Sequence, residues 1–271
     1  MEQVILIRGG GDIASGVAAR LFRAGFFLIM TELLKPLTVR RTVSFSEAIY
    51  SEDTEVEGIK AHRYSSIEEI TISQLRKEIP ILVDAELDIL GSDKYEFPVV
   101  VDARMEKIPA NKTLCRSIPL LIGIGPGFTA GLDCDVVIES NRGHSMGRIY
   151  RMGKALADTG QPAGDPNRIL RAPISGIIHT EVKIGELLKS GSTIAEIDGV
   201  PIFAPFSGIL RGLIHSDIVV EKGMKIGDMD HMRDNNLCYS ISDKAMAIGG
   251  SVLEVILSDT DLRPARRVEP K

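Results

Sequence analysis

The stretch that decides the fold is Val4-Ile5-Leu6-Ile7-Arg8-Gly9-Gly10-Gly11-Asp12-Ile13-Ala14. Residues 4–7 form an uninterrupted apolar run, which is typical of a strand buried on both faces of a parallel sheet. The three glycines predict a tight turn, and Ile13, Val17 and Leu21 then recur at the spacing of one helical face. A second apolar run at residues 26–30 predicts the next strand. The sequence therefore predicts a βαβ unit.

The glycine turn carries a binding motif. Gly9, Gly11 and Ala14 match the pattern G-x-G-x-x-A, which predicts a dinucleotide site when it lies between a strand and a helix. The helix N-terminus would face the phosphates, and an acid about 20 residues later, here Glu32, would bind the ribose hydroxyls. The alternative is a tight turn that binds nothing. The residues predicted here to bind cofactor are Gly9, Gly10, Gly11, Asp12, Ala14 and Glu32.

Arg40 and Arg41 leave the choice of cofactor open. They are candidates to receive the 2′-phosphate of NADP, because arginine suits phosphate groups. The alternative is a pair of solvated loop side chains.

Further strands are predicted at residues 81–83, 99–101, 120–124 and 136–138, and a helix is predicted at residues 67–79. In open α/β sheets, ligands bind beyond the carboxyl ends of the strands. Asp84 and Asp102 each end a strand, and a loop with Gly125 and Gly127 follows another, so these four residues join the predicted cofactor site. The alternatives are that each aspartate caps a turn and that the glycine loop only reverses the chain.

Residues 139–148 form the loop with the most polar side chains, and it supplies the candidate catalytic residues. Arginine binds phosphate or carboxylate, and histidine moves protons near neutral pH. The alternative is an inter-domain loop whose polar groups bind one another, and the sequence indicates no mechanism. The candidates are Asn141, Arg142, His144 and Arg148.

Composition excludes several classes of protein. The net charge is −5, tryptophan is absent and aromatic residues make up 5% of the chain, which argues against a nucleic-acid interface. The five histidines are never at ligand spacing, so no metal site is predicted. We expect no signal peptide, no membrane segment and a cytoplasmic location. Cys115, Cys134 and Cys238 show no disulfide or metal spacing, and any of them would carry a chalcogen only if exposed with a lowered pKa.

Residues 172–177 recur at residues 204–209 with the common motif Ala-Pro-x-Ser-Gly, an offset of 204 − 172 = 32 residues. The same offset aligns Gly191 with Gly223 without a gap. Two copies of a unit this short cannot each bury an apolar face, so they must pack together.

The repeat resembles the biotinyl/lipoyl domain, a barrel-sandwich of two related sheets. In that family a hairpin between the halves presents the lysine that carries the prosthetic arm. Gly199 stands at that position here, so the resemblance implies the fold and argues against biotin or lipoate. The predicted organisation is a Rossmann-like, mostly parallel α/β domain (1–165), a small all-β barrel-sandwich domain (166–232) and a C-terminal helix that returns to the first domain (233–271).

The glycine turn at residues 8–16, the loop at 139–148, the paired Ala-Pro-x-Ser-Gly motifs and Ser242-Asp243-Lys244-Ala245 occur in one order along the chain. This combination resembles the YqeB-type family, accessory proteins of selenium-dependent molybdenum hydroxylases. The resemblance implies a maturation factor that binds NAD(P) or molybdopterin dinucleotide, with a molybdenum hydroxylase as partner. The alternatives are an NAD(P)-dependent oxidoreductase and a non-catalytic docking scaffold.

Overall fold

The computed structural model describes residues 1–106, 118–158, 164–232 and 234–265, and the chain divides into two compact units. The first unit comprises residues 1–36, 45–159 and 241–271. Its helices are α1 (Asp12–Arg23), α2 (Ala48–Ser51), α3 (Ile72–Lys77) and, after α4 of the second unit, α5 (Asp243–Asp259). Its strands are β1 (Glu2–Arg8), β2 (Leu28–Glu32), β3 (Asp53–Val56), β4 (Ile59–Tyr64), β5 (Ile79–Val83), β6 (Tyr95–Asp102), β7 (Leu120–Ile124), β8 (Thr129–Ala130), β9 (Val136–Ile138), β10 (Ile149–Tyr150) and β11 (Gly153–Lys154).

Within the described residues, the first unit is built on a nine-stranded sheet of order β10-β9-β7-β6-β1-β2-β5-β4-β3. Neighbouring strands from β9 to β4 pair in parallel, and only the edge strands β10 and β3 pair antiparallel. The prediction of a mixed α/β protein with a mostly parallel sheet is confirmed. The central strand β1 is buried from Val4 to Arg8, and the apolar sequence of residues 4–7 predicts this burial for all but Arg8.

The strand order reverses beside β1. The chain proceeds from β1 to β2 on one side of it, and β6 later pairs on the other side. Open α/β sheets bind ligands at such a switch point, outside the carboxyl ends of the strands. In the register of the sheet, Arg8 of β1 lies opposite Thr31 of β2 and opposite Asp102 of β6. These three neighbouring side chains therefore stand on one face of the sheet at its carboxyl edge.

Several predicted elements differ in extent. Strands β5 and β6 include Pro80 and Pro98, which were expected to precede them. The helix expected over residues 67–79 is a 3-10 turn at Ile67–Glu69 followed by α3, because Thr71 caps a new helix by accepting from the Gln74 N–H. The hairpin of β3 and β4 was not predicted, since its strands are short and polar on one side.

Helix α5 packs against α1 within the first unit through small residues. A Cβ added to Gly16 would lie 2.5 Å from the Cβ of Ala245, so the two backbones approach too closely for any larger side chain. Ser242 caps α5 by accepting from the Ala245 N–H.

The second unit comprises residues 37–44 and 160–240, and it includes the short helix α4 (Asn236–Tyr239). Within its described residues it has two four-stranded antiparallel sheets, β12-β19-β17-β14 and β16-β15-β13-β18. The strands are β12 (Ile169–Arg171), β13 (Gly176–His179), β14 (Leu187–Leu188), β15 (Thr193–Ile197), β16 (Val200–Phe203), β17 (Gly208–Leu213), β18 (Ile218–Val220) and β19 (Lys225–Asp230).

The offset of 32 residues relates the two sheets of the second unit. It carries β12–β15 onto β16–β19, and each sheet contains two strands from each copy. Even the register repeats, because Ile177 lies opposite Val219 and Leu187 lies opposite Ile209. Exchanging the copies therefore converts one sheet into the other, and neither copy forms a four-stranded sheet by itself.

The repeated motif Ala-Pro-x-Ser-Gly joins the two copies. The Ser175 hydroxyl accepts from the Lys222 N–H, and the Ser207 hydroxyl accepts from the Ser190 N–H, both at 2.9 Å. In the same way the N–H of Gly223 donates to Ala172 and that of Gly191 donates to Ala204, both at 2.8 Å. Gly191 and Gly223 have positive φ (82° and 85°), which explains why glycine recurs at this position of the repeat.

Residues 37–44 lie in the second unit, whereas the predicted boundaries placed them in the first domain. Arg40 is buried and donates to the carbonyl oxygens of Leu237 and Ser240, and Arg41 donates to that of Leu213. These bonds hold the segment within the second unit. The structure thus corrects the interpretation of the two arginines as a solvated loop pair, and it gives their guanidinium groups a structural role in place of binding a 2′-phosphate.

Candidate functional site

The glycine turn lies at the switch point of the large sheet. Gly9 has φ of +99°, and its N–H donates to the carbonyl oxygen of Thr31 at 2.8 Å, which extends the pairing of β1 and β2. Gly10 packs against Ser46, whose N–H donates to the Gly10 carbonyl at 2.9 Å. Gly11 is the N-cap residue of α1, and no side chain caps the helix there. The first turn of α1 contains Asp12 and the buried Ala14.

Glu32 ends β2 beside the turn. One carboxylate oxygen accepts from the Gly10 N–H and the other accepts from the Leu33 N–H, each at 2.7 Å. Burial raises the pKa of Glu32, although the two backbone bonds and the nearby Arg104 favour the charged form. A carboxylate has about four acceptor sites. Glu32 is consequently fixed in place and keeps acceptor capacity for hydroxyl groups.

Asp102 ends β6 and lies between two arginines. Its oxygens accept from Nε and Nη2 of Arg104 at 3.0 and 2.8 Å, and Nη1 of Arg8 lies 3.6 Å from Oδ2. A Cβ added to Gly9 would lie 3.3 Å from Cγ of Arg104, so Arg104 packs against Gly9 of the glycine turn. Neither arginine was predicted as a site residue.

Lys244, near the start of α5, is a further residue that was missed. Burial lowers the pKa of its ammonium group, whereas the nearby carboxylates of Asp12, Glu139 and Asp158 favour the charged form and Arg142 opposes it. These neighbours place Lys244 near the N-terminus of α1. Its motif, Ser242-Asp243-Lys244-Ala245, was the available signal.

The loop at residues 139–148 is held by Glu139, which is fully buried. The Glu139 carboxylate accepts from the N–H groups of Asn141 and Leu156, each at 2.7 Å. Arg142 forms a two-pronged ion pair with Asp243 of α5, at 2.6 and 2.8 Å. Of the other predicted catalytic residues, Asn141, His144 and Arg148 are exposed. The loop therefore brings Arg142 to the N-terminus of α5, near Lys244.

Asp84, Gly125 and Gly127 have local structural roles. The Asp84 carboxylate accepts from the N–H groups of Asp88 and Ile89 at 2.9 Å and so caps the turn that follows β5. Gly125 has φ of +96°, and its N–H donates to Ile138 at 3.0 Å. Gly127 is buried in the adjoining turn. These contacts favour the alternatives in which Asp84 caps a turn and the glycine loop reverses the chain.

The two cysteines that the structure describes lie in the protein interior. Cys134 and Cys238 are buried, and burial raises the pKa of the Cys238 thiol, while Cys115 lies outside the described residues. In the part of the chain that the structure describes, no group of His, Cys, Asp or Glu side chains is arranged to hold a metal ion. Over the same residues, no helix has the length and apolar character needed to cross a bilayer.

Comparison with curated proteins finds one that is similar over most of this chain. The Escherichia coli (strain K12) protein YqeB, described as uncharacterized, is 43% identical over 260 residues, which cover 94% of this chain and 48% of YqeB. The chain thus spans about half the length of this relative. The similarity supports the YqeB-type resemblance. No protein-family model matches the chain.

Solved structures show only distant likeness. An aspartoacylase family protein from Mesorhizobium loti covers 84% of each chain at 12% identity and a TM-score of 0.27. The ectoine utilization protein EutE from Ruegeria pomeroyi covers 84% of this chain and 87% of its own at 10% identity and a TM-score of 0.25. TM-scores this low do not establish a shared fold.

Proposed function

Because the chain is a homologue of about half of YqeB, we propose that it is a cytoplasmic accessory factor in the maturation of a selenium-dependent molybdenum hydroxylase. In this role it binds a dinucleotide, either NAD(P) or molybdopterin dinucleotide, at the glycine turn. The observation that carries the binding proposal is the position of the turn at the carboxyl ends of β1 and β6, where the strand order reverses.

The residues at the turn fit the pyrophosphate that both ligands contain. Helix α1 begins directly after the turn, and a helix N-terminus attracts anions through its backbone N–H groups. Arg104 packs against Gly9, and Lys244 lies near Asp12. Glu32 is placed to accept from ribose hydroxyls, since its two present bonds leave acceptor capacity. Arg142 also lies near Lys244, where Asp243 balances its charge.

We further propose that the second unit is a barrel-sandwich domain that docks the partner enzyme and carries no prosthetic arm. The exchange of strands between two related sheets supports this fold. The hairpin between β15 and β16 turns at Asp198 and Gly199, both with positive φ (46° and 80°). A lysine at position 199 would require a strained backbone there.

The binding experiment is thermal unfolding against NAD⁺, NADP⁺, FAD, CTP and molybdopterin cytosine dinucleotide. A ligand at one hundred times its Kd adds about 2.7 kcal/mol of stability, which raises the Tm by several degrees. Gly11→Val should abolish the shift because its side chain would occupy the space of the pyrophosphate. Gly11 has extended backbone (φ −67°, ψ −177°), a conformation that valine readily adopts.

Gly91→Ala is the matched control, since nothing lies within 4 Å of a Cβ added at Gly91. It should keep the shift in full. The absence of a shift in the wild type with every ligand would contradict the binding proposal. For the maturation role, a host lacking this protein should make an inactive hydroxylase that wild type restores and Gly11→Val does not.

A further inference from the structure

Two arginines compete for one buried carboxylate beside the glycine turn. The Asp102 side chain is 4% exposed, and Arg104 takes both of its oxygens. Arg8, whose side chain is 8% exposed, approaches the same carboxylate only to 3.6 Å, which is too far for a hydrogen bond. One negative charge is thus shared unequally between two cations.

Arg8 keeps unused donors in this arrangement. Its Nη2 donates to the carbonyl oxygen of Ala85 at 2.5 Å, but its Nε and Nη1 have no hydrogen-bond partner among the described residues. Buried N–H groups of a charged side chain are costly to leave unpaired. A small movement of Asp102 toward Arg8 would bring Nη1 within bonding distance.

Arg104 is the more accessible of the two. The Arg104 side chain is 19% exposed and packs against Gly9. Its Nη1 donates to the exposed Glu106 at 2.7 Å. The charge of its guanidinium also acts on Glu32, which bonds Gly10 of the turn, and a guanidinium has the planar donors that bind phosphate in pairs.

We propose that Arg104 binds the phosphate of the ligand at the glycine turn, and that Arg8 takes over Asp102 when Arg104 leaves it. This rests on the proposed function, because it names the side chain that holds the ligand in that site. Without Arg8, the release of Arg104 would leave Asp102 as an unpaired buried charge, which is strongly unfavourable. Arg8 is thus a positioning residue that makes Arg104 available.

The test is calorimetric titration of the full chain with NAD⁺ and with inorganic pyrophosphate, the group that the candidate ligands share. Arg104→Gln should raise the Kd about tenfold or more, because it removes charge-assisted bonds to phosphate. Arg8→Met should also raise the Kd, since Asp102 then retains Arg104. Arg8→Lys, which keeps the buried charge, should bind more tightly than Arg8→Met.

The double variant Arg8→Met/Asp102→Asn distinguishes positioning from a structural role. It should recover most of the wild-type affinity, because without the carboxylate Arg104 is free. Asp102→Asn alone should bind at least as tightly as wild type, which keeps the test decisive if Arg8→Met fails to fold. Weaker binding by Asp102→Asn, or no recovery in the double variant, would overturn the exchange. Equal Kd values for wild type and Arg104→Gln would overturn this inference alone. A wild type that binds neither probe, and none of the ligands in the thermal unfolding series, overturns the proposed function and this inference with it.

Discussion

Gly249 of α5 lies directly on the backbone of Gly16 in α1: a Cβ added at Gly249 would be 2.8 Å from the Gly16 carbonyl oxygen. Gly249→Ala should therefore force the helices apart and destabilise the protein by about 1–3 kcal/mol. Urea unfolding measures the change in the free energy of unfolding.

The neighbouring residue provides the control for this substitution. Nothing lies within 4 Å of a Cβ added at Gly250 in the same helix. Gly250→Ala should stabilise the protein by about 0.5–1 kcal/mol, because alanine loses less backbone entropy than glycine in a helix. If both substitutions shift stability in the same direction, the close crossing of α1 and α5 is wrong.

The repeat predicts equal effects at two distant positions. Ser175→Ala and Ser207→Ala each remove one bond to a backbone N–H of the other copy, so each should cost about 0.5–1.5 kcal/mol. Urea unfolding of both variants should give free energies that agree closely. Ser192→Ala should have little effect, because the Ser192 hydroxyl makes no hydrogen bond to any residue that the structure describes. A large difference between the two serines would contradict the equivalence of the copies.

Glu139 should be essential to the loop at residues 139–148. Glu139→Gln places an amide NH₂ group against one of two backbone N–H donors. Because a buried donor is then left unpaired, we expect the free energy of unfolding to fall by about 2–3 kcal/mol. Thermal unfolding measures this loss, with Glu55→Gln on an exposed strand position as the control. Equal stability of the two variants would contradict the buried position of Glu139.

Glu32 should make stability depend on pH in the acidic range. Its pKa in the folded protein lies above the ordinary value of 4.5, because burial opposes the charged form. The folded protein therefore binds the Glu32 proton more tightly than the unfolded chain does, which stabilises the fold. This stabilisation is fully present below pH 4.5 and is lost as the pH rises through the higher folded pKa. Glu32→Gln should remove this component from a plot of the free energy of unfolding against pH. A wild type and variant with parallel curves would refute the raised pKa.

The sequence predicts most of the large sheet and the repeat because both follow from short-range patterns. The apolar run of β1, the glycines after it and the offset between the Ala-Pro-x-Ser-Gly motifs each specify local structure without knowledge of the tertiary fold. The exact extent of β5 and β6 was less accessible, since Pro80 and Pro98 are accommodated by the sheet around them.

The site was less predictable because it depends on contacts between distant segments. Arg104 follows the strand that ends in Asp102, but nothing in the local sequence indicates that it packs against Gly9, which lies more than ninety residues earlier in the chain. Lys244 reaches the α1 terminus only because α5 crosses α1 through glycine and alanine. Conversely, Asp84 follows a strand, as a ligand-binding carboxylate at the edge of the sheet would, but in the structure its carboxylate caps a turn.

The exchange of strands between the repeat copies determines how the second unit can fold. The first strand, β12, pairs with the last, β19, so that Ile169 lies opposite Asp228. A nascent chain that has emerged only through its first copy can pair β13 with β15 but can complete neither four-stranded sheet. The pairings between the copies require closure of longer loops, which is costly in entropy. The unit should therefore fold in one cooperative step late in synthesis, and two separately expressed halves should be unfolded alone and assemble when mixed.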